Sequence, residues 1–145
     1  MLTQAEADRL MEMEKIRVDT APHHFPFPGR SLRIPLSSRD RQENFMLDIT
    51  HSGIVLNKAT YQNRVRKSIV LVRLDLEGPP HRNPDGEEMP CPDIHIYREG
   101  YDVKWAYPVE LTRFASIGDL YLTLDDFMAY CNIVDRPTIY RTLMQ

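Results

Sequence analysis

The hydrophobic positions follow a helical period at both ends of the chain and a period of two between them. Near the N-terminus, one apolar stripe at helical spacing comprises Ala7, Leu10, Met11, Met13 and Ile16. Thr3 and Glu6 form the S/T-x-x-E pattern, in which each side chain bonds an amide at the other's position. The pattern predicts a helix that begins at Gln4 and reaches about Arg17.

A second helical stripe lies near the C-terminus. Ser116 and Asp119 resemble a helix start. The apolar residues that follow at helical spacing are Leu120, Leu124, Phe127, Met128 and Cys131. This spacing predicts a helix near residues 117 to 131, and the tail after Pro137 is expected to add one further helical turn.

The segment between the helices alternates apolar and polar residues. The predicted strands are 31 to 36, 43 to 50, 53 to 58, 60 to 76 with a bulge allowed, 93 to 99, and 103 to 108. "THSG" at 50–53 and "REGYD" at 98–102 are turn signals, and short connections favour antiparallel neighbours. We therefore predict one α+β domain over residues 1–145, with a single antiparallel sheet of five to six strands. The N-terminal and C-terminal helices are expected to cover one face.

Composition places the chain among globular proteins. It has 145 residues, of which 42% are hydrophobic and 27% charged, and no apolar run approaches the roughly 20 residues that span a bilayer. The polar, acidic start "MLTQAEADRL" is unlike a secretory signal, so no membrane contact and a cytoplasmic location are expected. Cys91 and Cys131 show no metal-binding spacing and are expected to be free thiols.

The overall charge argues against broad nucleic-acid binding, with one local exception. The net charge is −3 and the pI is near 5.9. From Lys58 to Arg73, however, five side chains are basic and none is acidic. The segment is either an electrostatic footprint for a polyanion or a solvated sheet edge that Lys and Arg protect from aggregation.

The richest chemistry lies between residues 73 and 104. Prolines stiffen the loop "GPPHRNPDG" and hold His81 and Arg82 near the strand that carries His95. Two histidines can act as acid and base on a ribose 2′-hydroxyl and a leaving oxygen, while an arginine stabilises charge on phosphorus. Alternation along the strands places Asp93, His95 and Tyr97 on one face, and Arg73 and Asp75 are expected to share it. The candidate catalytic residues are His81, Arg82 and His95, and the candidate binding residues are Arg73, Asp93, Tyr97 and Lys104.

Two other interpretations of these residues remain open. A histidine within a strand is often a packed or cross-strand-paired residue. A metal site built from His81, His95 and a carboxylate such as Asp75 or Asp93 has a spacing that matches no known motif. We therefore expect neither a metal nor a cofactor.

The lone tryptophan also allows two interpretations. Trp105 in "YDVKWAYP" is expected to pack under the C-terminal helix near Phe127, because large aromatics supply much of a small core. In the alternative, it is exposed and stacks on a nucleic-acid base.

Several motifs resemble a known family. "HRNPDG" at 81–86, "IHIYREGY" at 94–101 and "KWAYP" at 104–108 resemble a family of small uncharacterised proteins of bacteria and their prophages. The start "LTQAEAD" and the segment "SIGDLYLTLDDFMAYC" fit the same resemblance. In that family a histidine often stands where this sequence has Asp93. An aspartate can act as an acceptor or base there, but it cannot donate a proton at neutral pH as a histidine can. Residues 70 to 99 are also similar to the TumE-type toxins of toxin–antitoxin pairs.

Two functions follow as hypotheses. The first is a bacterial toxin of a toxin–antitoxin pair that acts as a metal-independent ribonuclease, with RNA as substrate and an antitoxin as protein partner. The second is a non-enzymatic prophage protein that inhibits a host defence complex, as CRISPR inhibitors do, through acidic contacts. The candidate contacts are Asp8, Glu12, Asp48, Glu77, Glu87, Glu88 and Asp119.

Overall fold

The computed structural model describes residues 1–54 and 57–141, which form an α+β fold of two helices and a large mixed sheet. The helices are α1 (Gln4–Glu12) and α2 (Leu120–Tyr130). The strands of the large sheet are β1 (Lys15–Arg17), β3 (Ser31–Ser38), β4 (Asn44–His51), β5 (Ala59–Val65), β6 (Ile69–Asp75), β9 (Asp93–Ile96), β10 (Ala106–Pro108) and β11 (Ile133–Asp135). Four short strands form two further pairs: β2 (His23–His24) with β12 (Ile139–Tyr140), and β7 (His81–Arg82) with β8 (Glu88–Met89).

The described part of the large sheet has eight strands in the order β10-β9-β6-β5-β4-β3-β1-β11. All neighbours are antiparallel except β1 and β11, which are parallel. The prediction of a purely antiparallel sheet of five or six strands is therefore wrong in strand number and at one edge. A parallel pair needs a long crossover, and the whole chain between β1 and β11 provides it.

Helix α1 begins where the sequence predicts and ends earlier. The Thr3 hydroxyl accepts the Glu6 amide, and the Glu6 carboxylate accepts the Thr3 amide, so the capping box is confirmed. The helix stops at Glu12 because residues 15–17 pair with β3 instead. Lys15 is fully buried, and its Nζ donates to the Cys131 carbonyl at 2.7 Å. Nζ also donates to the carbonyls of Met11 and Met13, which stabilises the end of the helix.

The long strand predicted over residues 60 to 76 is a hairpin. β5 and β6 pair in antiparallel register, and residues 66–68 form the turn between them. Arg66 and Lys67 have φ values of 52° and 72°, a left-handed conformation that Gly or Asn usually adopts. Neither residue is typical of a turn, so the alternation of apolar and polar residues continues across the turn. The sequence therefore predicted one strand where the structure has two.

Two other predicted elements differ from the structure. The predicted strand 53–58 includes residues 55 and 56, which lie outside the described residues, and the flanking residues 52–54 and 57–58 form no strand. The tail was expected to be helical, but Ile139 and Tyr140 pair with β2 as a strand. Residues 142–145 of the same tail lie outside the described residues.

One face of the large sheet packs against the helices. Paired residues on this face include Ile49, Tyr61, Leu74 and Ile94, one from each of β4, β5, β6 and β9. They belong to the same buried cluster as the helix residues Ala7, Leu10, Leu124, Phe127 and Met128. The helices therefore cover this face, and the alternate residues of the strands lie on the other face.

Candidate active site

Strand pairing brings four of the chemically active side chains together. β6 pairs with β9 so that Arg73 lies directly opposite His95 and Asp75 directly opposite Asp93. Since alternate residues of a strand point to opposite faces, these side chains occur on the sheet face away from the helices. The alternation in the sequence predicted this shared face for Arg73, Asp75 and His95.

His95 is the buried centre of the cluster, with 1% of its side chain exposed. Its Nδ1 lies 2.8 Å from the Val103 carbonyl, and its Nε2 lies 3.2 Å from Asp75 Oδ2 and 3.5 Å from Asp93 Oδ1. Burial alone would lower the pKa of His95, but the hydrogen bonds to both carboxylates and to the carbonyl outweigh it and raise the pKa to about 9. His95 is therefore an imidazolium at neutral pH, with a donor at each nitrogen.

The two carboxylates balance two cations. Arg73 Nε donates to Asp75 Oδ2 at 3.3 Å, and its Nη2 lies 3.2 Å from His95 Nε2. Burial acts to raise the pKa of Asp75, but His95 and Arg73 outweigh it and hold that pKa below its usual value. Asp93 is 1% exposed, and its Oδ2 has no hydrogen-bond partner in the described part of the chain. The cluster is thus an ion-pair network whose formal charges cancel, buried at His95 and Asp93 and half-buried at Arg73 and Asp75.

His81, the first residue of β7, reaches this network. Its ring lies edge to face with that of His95, with centroids 4.7 Å apart and planes at 74°. Its Nε2 lies 2.7 Å from the Lys104 carbonyl. A carbonyl only accepts hydrogen bonds, so Nε2 carries the hydrogen, and Nδ1 is the acceptor in the neutral ring.

A buried asparagine holds the loop in place. The Asn83 side chain donates to the Ala106 carbonyl at 3.0 Å and accepts the Ala106 amide at 2.8 Å. Both backbone groups of an edge-strand residue are therefore bonded to the side chain that follows His81 by two positions. This double contact fixes the loop on β10 and keeps His81 beside His95.

An open pocket of about 280 Å³ lies at this cluster. Its lining includes Lys58, Thr60, Asp75, Glu77, His81, Cys91, Asp93 and His95. Burial and the neighbouring Asp93 raise the pKa of the Cys91 thiol to about 11, so Cys91 is protonated at neutral pH. The acid–base groups of the pocket are therefore the histidines and carboxylates.

Three residues predicted for the site lie elsewhere. Arg82 is 69% exposed and pairs with Glu88 at 3.1 Å. Tyr97 is buried, and its hydroxyl bonds to the backbone of Leu2, which ties β9 to the N-terminus. Lys104 is exposed and contributes its backbone carbonyl, the acceptor for His81, to the site.

Trp105 matches neither of its two predicted environments. It is half-buried, and its ring packs against Arg98, whose Cζ lies 4.4 Å from the ring centroid, and against Tyr101 at 5.8 Å. It does not belong to the buried cluster that contains Phe127. The tight turn at residues 98–102, which the sequence predicted, folds Arg98 and Tyr101 back onto the indole.

The structure adds contributors that the sequence did not single out. The carbonyls of Val103 and Lys104 orient the two histidines, and backbone acceptors leave no signal in a sequence. Thr60 faces the pocket because it lies opposite Asp75, but the pairing follows from the unpredicted β5–β6 hairpin. Asn83 could have been suspected from "HRNPDG", where asparagine is an ordinary turn residue.

Asp75, Asp93 and His95 also have a spacing that suits a metal ion. One potential ligand atom from each lies within 4.8 Å of the others. The Val103 carbonyl fixes the His95 ring as a backbone acceptor does for many metal-ligating histidines. Arg73, however, lies against both Asp75 and His95 and supplies positive charge where a cation would bind. Arg73 therefore helps to balance the negative charge of the two carboxylates.

Four of the seven acidic residues considered for protein contacts have partners within the protein. Asp8 accepts a hydrogen bond from the Gln4 side chain, and Glu88 pairs with Arg82. Asp48 accepts hydrogen bonds from Arg64, with 2.8 Å between Nη2 and Oδ1. Asp119 caps α2 by accepting the amides of Tyr121 and Leu122. The carboxylates of Glu87 and Glu88 lie on or beside the exposed β7–β8 hairpin.

Across the described ranges, no helix is long and apolar enough to cross a membrane. Searches of the curated proteins and of the solved structures each found no match to the chain. A comparison with protein families matched residues 2–133 to a family described as a family of unknown function, DUF6978. That match covers most of the sequence, including both helices and the His81–His95 pocket, and the chain therefore belongs to this uncharacterised family.

Proposed function

We propose that this protein is the toxin of a bacterial toxin–antitoxin pair and cleaves RNA without a metal ion at the His81–His95 pocket. The observation that carries the proposal is the contact between the two imidazoles, which lie 14 positions apart in sequence and 4.7 Å apart in space. The similarity of residues 70 to 99 to TumE-type toxins supports the same function.

The two histidines offer complementary groups, an acceptor on one ring and a donor on the other. His81 offers Nδ1 as an acceptor because the Lys104 carbonyl holds the hydrogen on Nε2. His95 carries a proton at neutral pH because Asp75 and Asp93 raise its pKa to about 9. One ring is thus set to act as a base and the other as an acid, which is the pairing that transesterification of RNA requires.

The reaction follows from these roles. His81 Nδ1 accepts the proton of a ribose 2′-hydroxyl, and the 2′-oxygen forms a bond to the adjacent phosphorus. The bond between phosphorus and the 5′-oxygen breaks, and the 5′-oxygen takes the proton from His95 Nε2. The products are a 2′,3′-cyclic phosphate and a 5′-hydroxyl. Because the rings touch each other, the phosphate would lie on their pocket side rather than between them.

Two further cations suit a phosphate substrate. Lys58 lines the same pocket, and Arg73 lies against His95 within the cluster. Cationic side chains that are already in position when the reaction begins stabilise the negative charge that develops on the phosphoryl oxygens. We assign Lys58 to substrate binding and Arg73 to holding the charge of the cluster.

Expression in cells without an antitoxin tests this function. The native protein should arrest growth, and His81→Ala should relieve the arrest because the base is lost. His24→Ala is the matched control, because His24 lies in the separate β2–β12 sheet, and it should remain toxic. Harmless expression of the native protein, at a level shown by immunoblot, would refute the toxin function, and toxicity of His81→Ala would refute the assigned base.

The second candidate is an inhibitor of a host defence complex that binds without catalysis. The observation that favours it is the group of exposed carboxylates on the β7–β8 hairpin, Asp85, Glu87 and Glu88, of which only Glu88 pairs with an arginine of the described chain, Arg82. An acidic hairpin can compete with nucleic acid for a basic groove. Affinity purification distinguishes the two candidates: a defence protein lost on Glu87→Lys supports the inhibitor, and an antitoxin encoded beside this gene supports the toxin.

A further inference from the structure

A single row of directly opposed residues crosses five strands and ends at the proposed active site. Strand pairing places Arg33 opposite Asp48, Asp48 opposite Gln62, Gln62 opposite Arg73, and Arg73 opposite His95. Neighbouring strands lie about 4.8 Å apart, so the row spans roughly 19 Å. All five side chains lie on the face that the helices do not cover.

A second row runs beside the first and is rich in hydroxyl groups. Ser31 lies opposite Thr50, Thr50 opposite Thr60, and Thr60 opposite Asp75. The Ser31 and Thr50 hydroxyls lie 3.3 Å apart, and the Thr60 hydroxyl donates to Asp75. Hydroxyl groups can donate to phosphate oxygens and to sugar hydroxyls alike.

Part of each row lines an open groove of about 460 Å³: Arg33, Asp48 and Gln62 from the first, and Ser31 and Thr50 from the second. The groove is lined by residues of β3 to β6 and of the β5–β6 turn, including Arg33, Gln62, Arg64 and Lys67. It meets the active-site pocket along β5, because Gln62 lines the groove and Thr60, two residues away on the same face, lines the pocket. The two recesses therefore follow one another across the sheet.

The charge of the groove is positive although the protein is acidic. Three cations line it, Arg33, Arg64 and Lys67, against the single carboxylate of Asp48. Arg64 is bound to Asp48. Arg33 and Lys67 are exposed, and their side chains form no ion pair within residues 1–54 and 57–141. These two cations are available to a polyanion.

We propose that this open sheet face binds single-stranded RNA and leads it from the groove into the His81–His95 pocket. The inference rests on the proposed ribonuclease function, because it supplies the path of that enzyme's substrate. A face about 19 Å long accommodates a few nucleotides, and the two free cations match the phosphate charge. Apart from the buried His95 at its end, neither row carries an aromatic side chain, so binding depends on phosphate and hydroxyl contacts and has little base preference.

Binding is measured with His81→Ala, which keeps the groove and lacks the proposed base. The probe is a fluorescein-labelled 12-nucleotide single-stranded RNA, followed by fluorescence anisotropy at several salt concentrations. Adding Arg33→Glu with Lys67→Glu should raise Kd at least tenfold. The pair Arg33→Gln and Lys67→Gln introduces no negative charge. It should make the negative slope of log association constant against log salt concentration shallower by about 1.4, because each lost phosphate contact removes about 0.7.

A matched double variant controls for net charge. Arg9→Glu with Arg136→Glu makes the same change at exposed residues that line neither recess, and it should bind the RNA as the parent does. An equal loss of RNA affinity in this control would overturn the proposed path, as would unchanged RNA affinity after the Arg33 and Lys67 substitutions. No RNA binding by the parent would overturn it as well.

Cleavage of substrates of two lengths separates this inference from the proposed function. With His81 intact, the Arg33→Glu, Lys67→Glu protein should cleave a dinucleotide as well as native protein does, because a dinucleotide occupies only the pocket. It should cleave the 12-nucleotide RNA with kcat/KM at least tenfold lower. If native protein cleaves neither substrate but binds RNA through the groove, the ribonuclease function fails and the binding face stands. Equal losses on both substrates would contradict the path.

Discussion

His81 and His95 meet edge to face, with ring centroids 4.7 Å apart, although they belong to different sheets. His95 is fixed by β9 and buried beside two carboxylates, whereas His81 is fixed by a loop that Asn83 anchors to β10. The pair therefore combines a buried ring that is charged at neutral pH with a more exposed ring at the pocket. This difference in environment gives the two rings different responses to pH and to substitution.

The raised pKa of His95 predicts a particular pH dependence of stability. The folded protein binds the His95 proton more tightly than the unfolded chain does, with a pKa near 9 against 6.5. The stabilisation is therefore complete below pH 6.5 and is lost as the pH rises through 9. Between pH 6 and 8 the free energy of unfolding should fall by about 2 kcal/mol.

Urea denaturation at pH 6, 7 and 8 measures this change. The comparison stops at pH 8 because burial lowers the pKa of Lys15 to about 8 and adds a trend of opposite sign above it. His95→Gln should unfold at lower urea concentration at pH 6 and lack most of the pH dependence. A native protein whose stability is flat across this range would show that His95 is neutral when folded.

Asp93→Asn should lower the pKa of His95. The substitution removes one of the two negative charges beside Nε2, and a lost ion-pair partner of this kind shifts a pKa by about 1–3 units. The His95 pKa can be followed by NMR titration of the imidazole nitrogens. Asp85→Asn, an exposed carboxylate of the β7–β8 turn, is the control and should leave the titration unchanged. An unaltered His95 pKa in Asp93→Asn would assign the shift to Asp75 and the Val103 carbonyl.

The difference between Asp93 and Tyr97 shows what alternation can predict. Both residues follow the period-two pattern of one strand, and the sequence places both beside His95. The pairing of β9 with β6 extends only to Ile96. Beyond that point the regular alternation stops, and the Tyr97 side chain bonds to Leu2 rather than lying beside His95. The sequence therefore predicts on which side of the sheet a side chain lies where the strand pairing is regular. It does not do so where the strand ends.

Turns and helix ends explain most of the remaining differences. The capping box at Thr3 and Glu6 predicted the start of α1, but the end of α1 depends on Lys15, whose contacts with Cys131 span 116 positions. No local pattern records such a contact. The reversal at residues 66–68 was likewise missed because ordinary side chains there adopt a conformation typical of glycine.

Lys67→Gly should raise stability and weaken RNA binding together. Lys67 has a φ of 72°, a conformation that costs a residue with a Cβ about 1 kcal/mol relative to glycine. The substitution should therefore raise the free energy of unfolding by about 1 kcal/mol, measured by urea denaturation. It also removes one of the two free cations of the groove, so Kd for RNA should rise. Weaker binding by a more stable protein would exclude misfolding as the cause, whereas unchanged binding would count against the groove.

Trp105→Ala should cost about 1–2 kcal/mol, less than truncation of a core aromatic. The indole is half-buried against Arg98 and Tyr101, so substitution removes a surface stack rather than core packing. Phe127→Ala is the reference, because Phe127 is fully buried and its loss should cost about 3–5 kcal/mol. Thermal melts of both variants give the comparison. Equal losses of stability would place Trp105 in the core.

Product analysis of purified protein shows directly whether the His81–His95 pocket cleaves RNA without a metal ion. Native protein is incubated with labelled single-stranded RNA in EDTA, and the ends of the products are determined by mass spectrometry. The expected result is 2′,3′-cyclic phosphate and 5′-hydroxyl ends, a rate reduced by roughly 10²–10⁴-fold in His81→Ala, and an unchanged rate in His24→Ala. Intact RNA after incubation with folded native protein, or equal cleavage by His81→Ala, would contradict it.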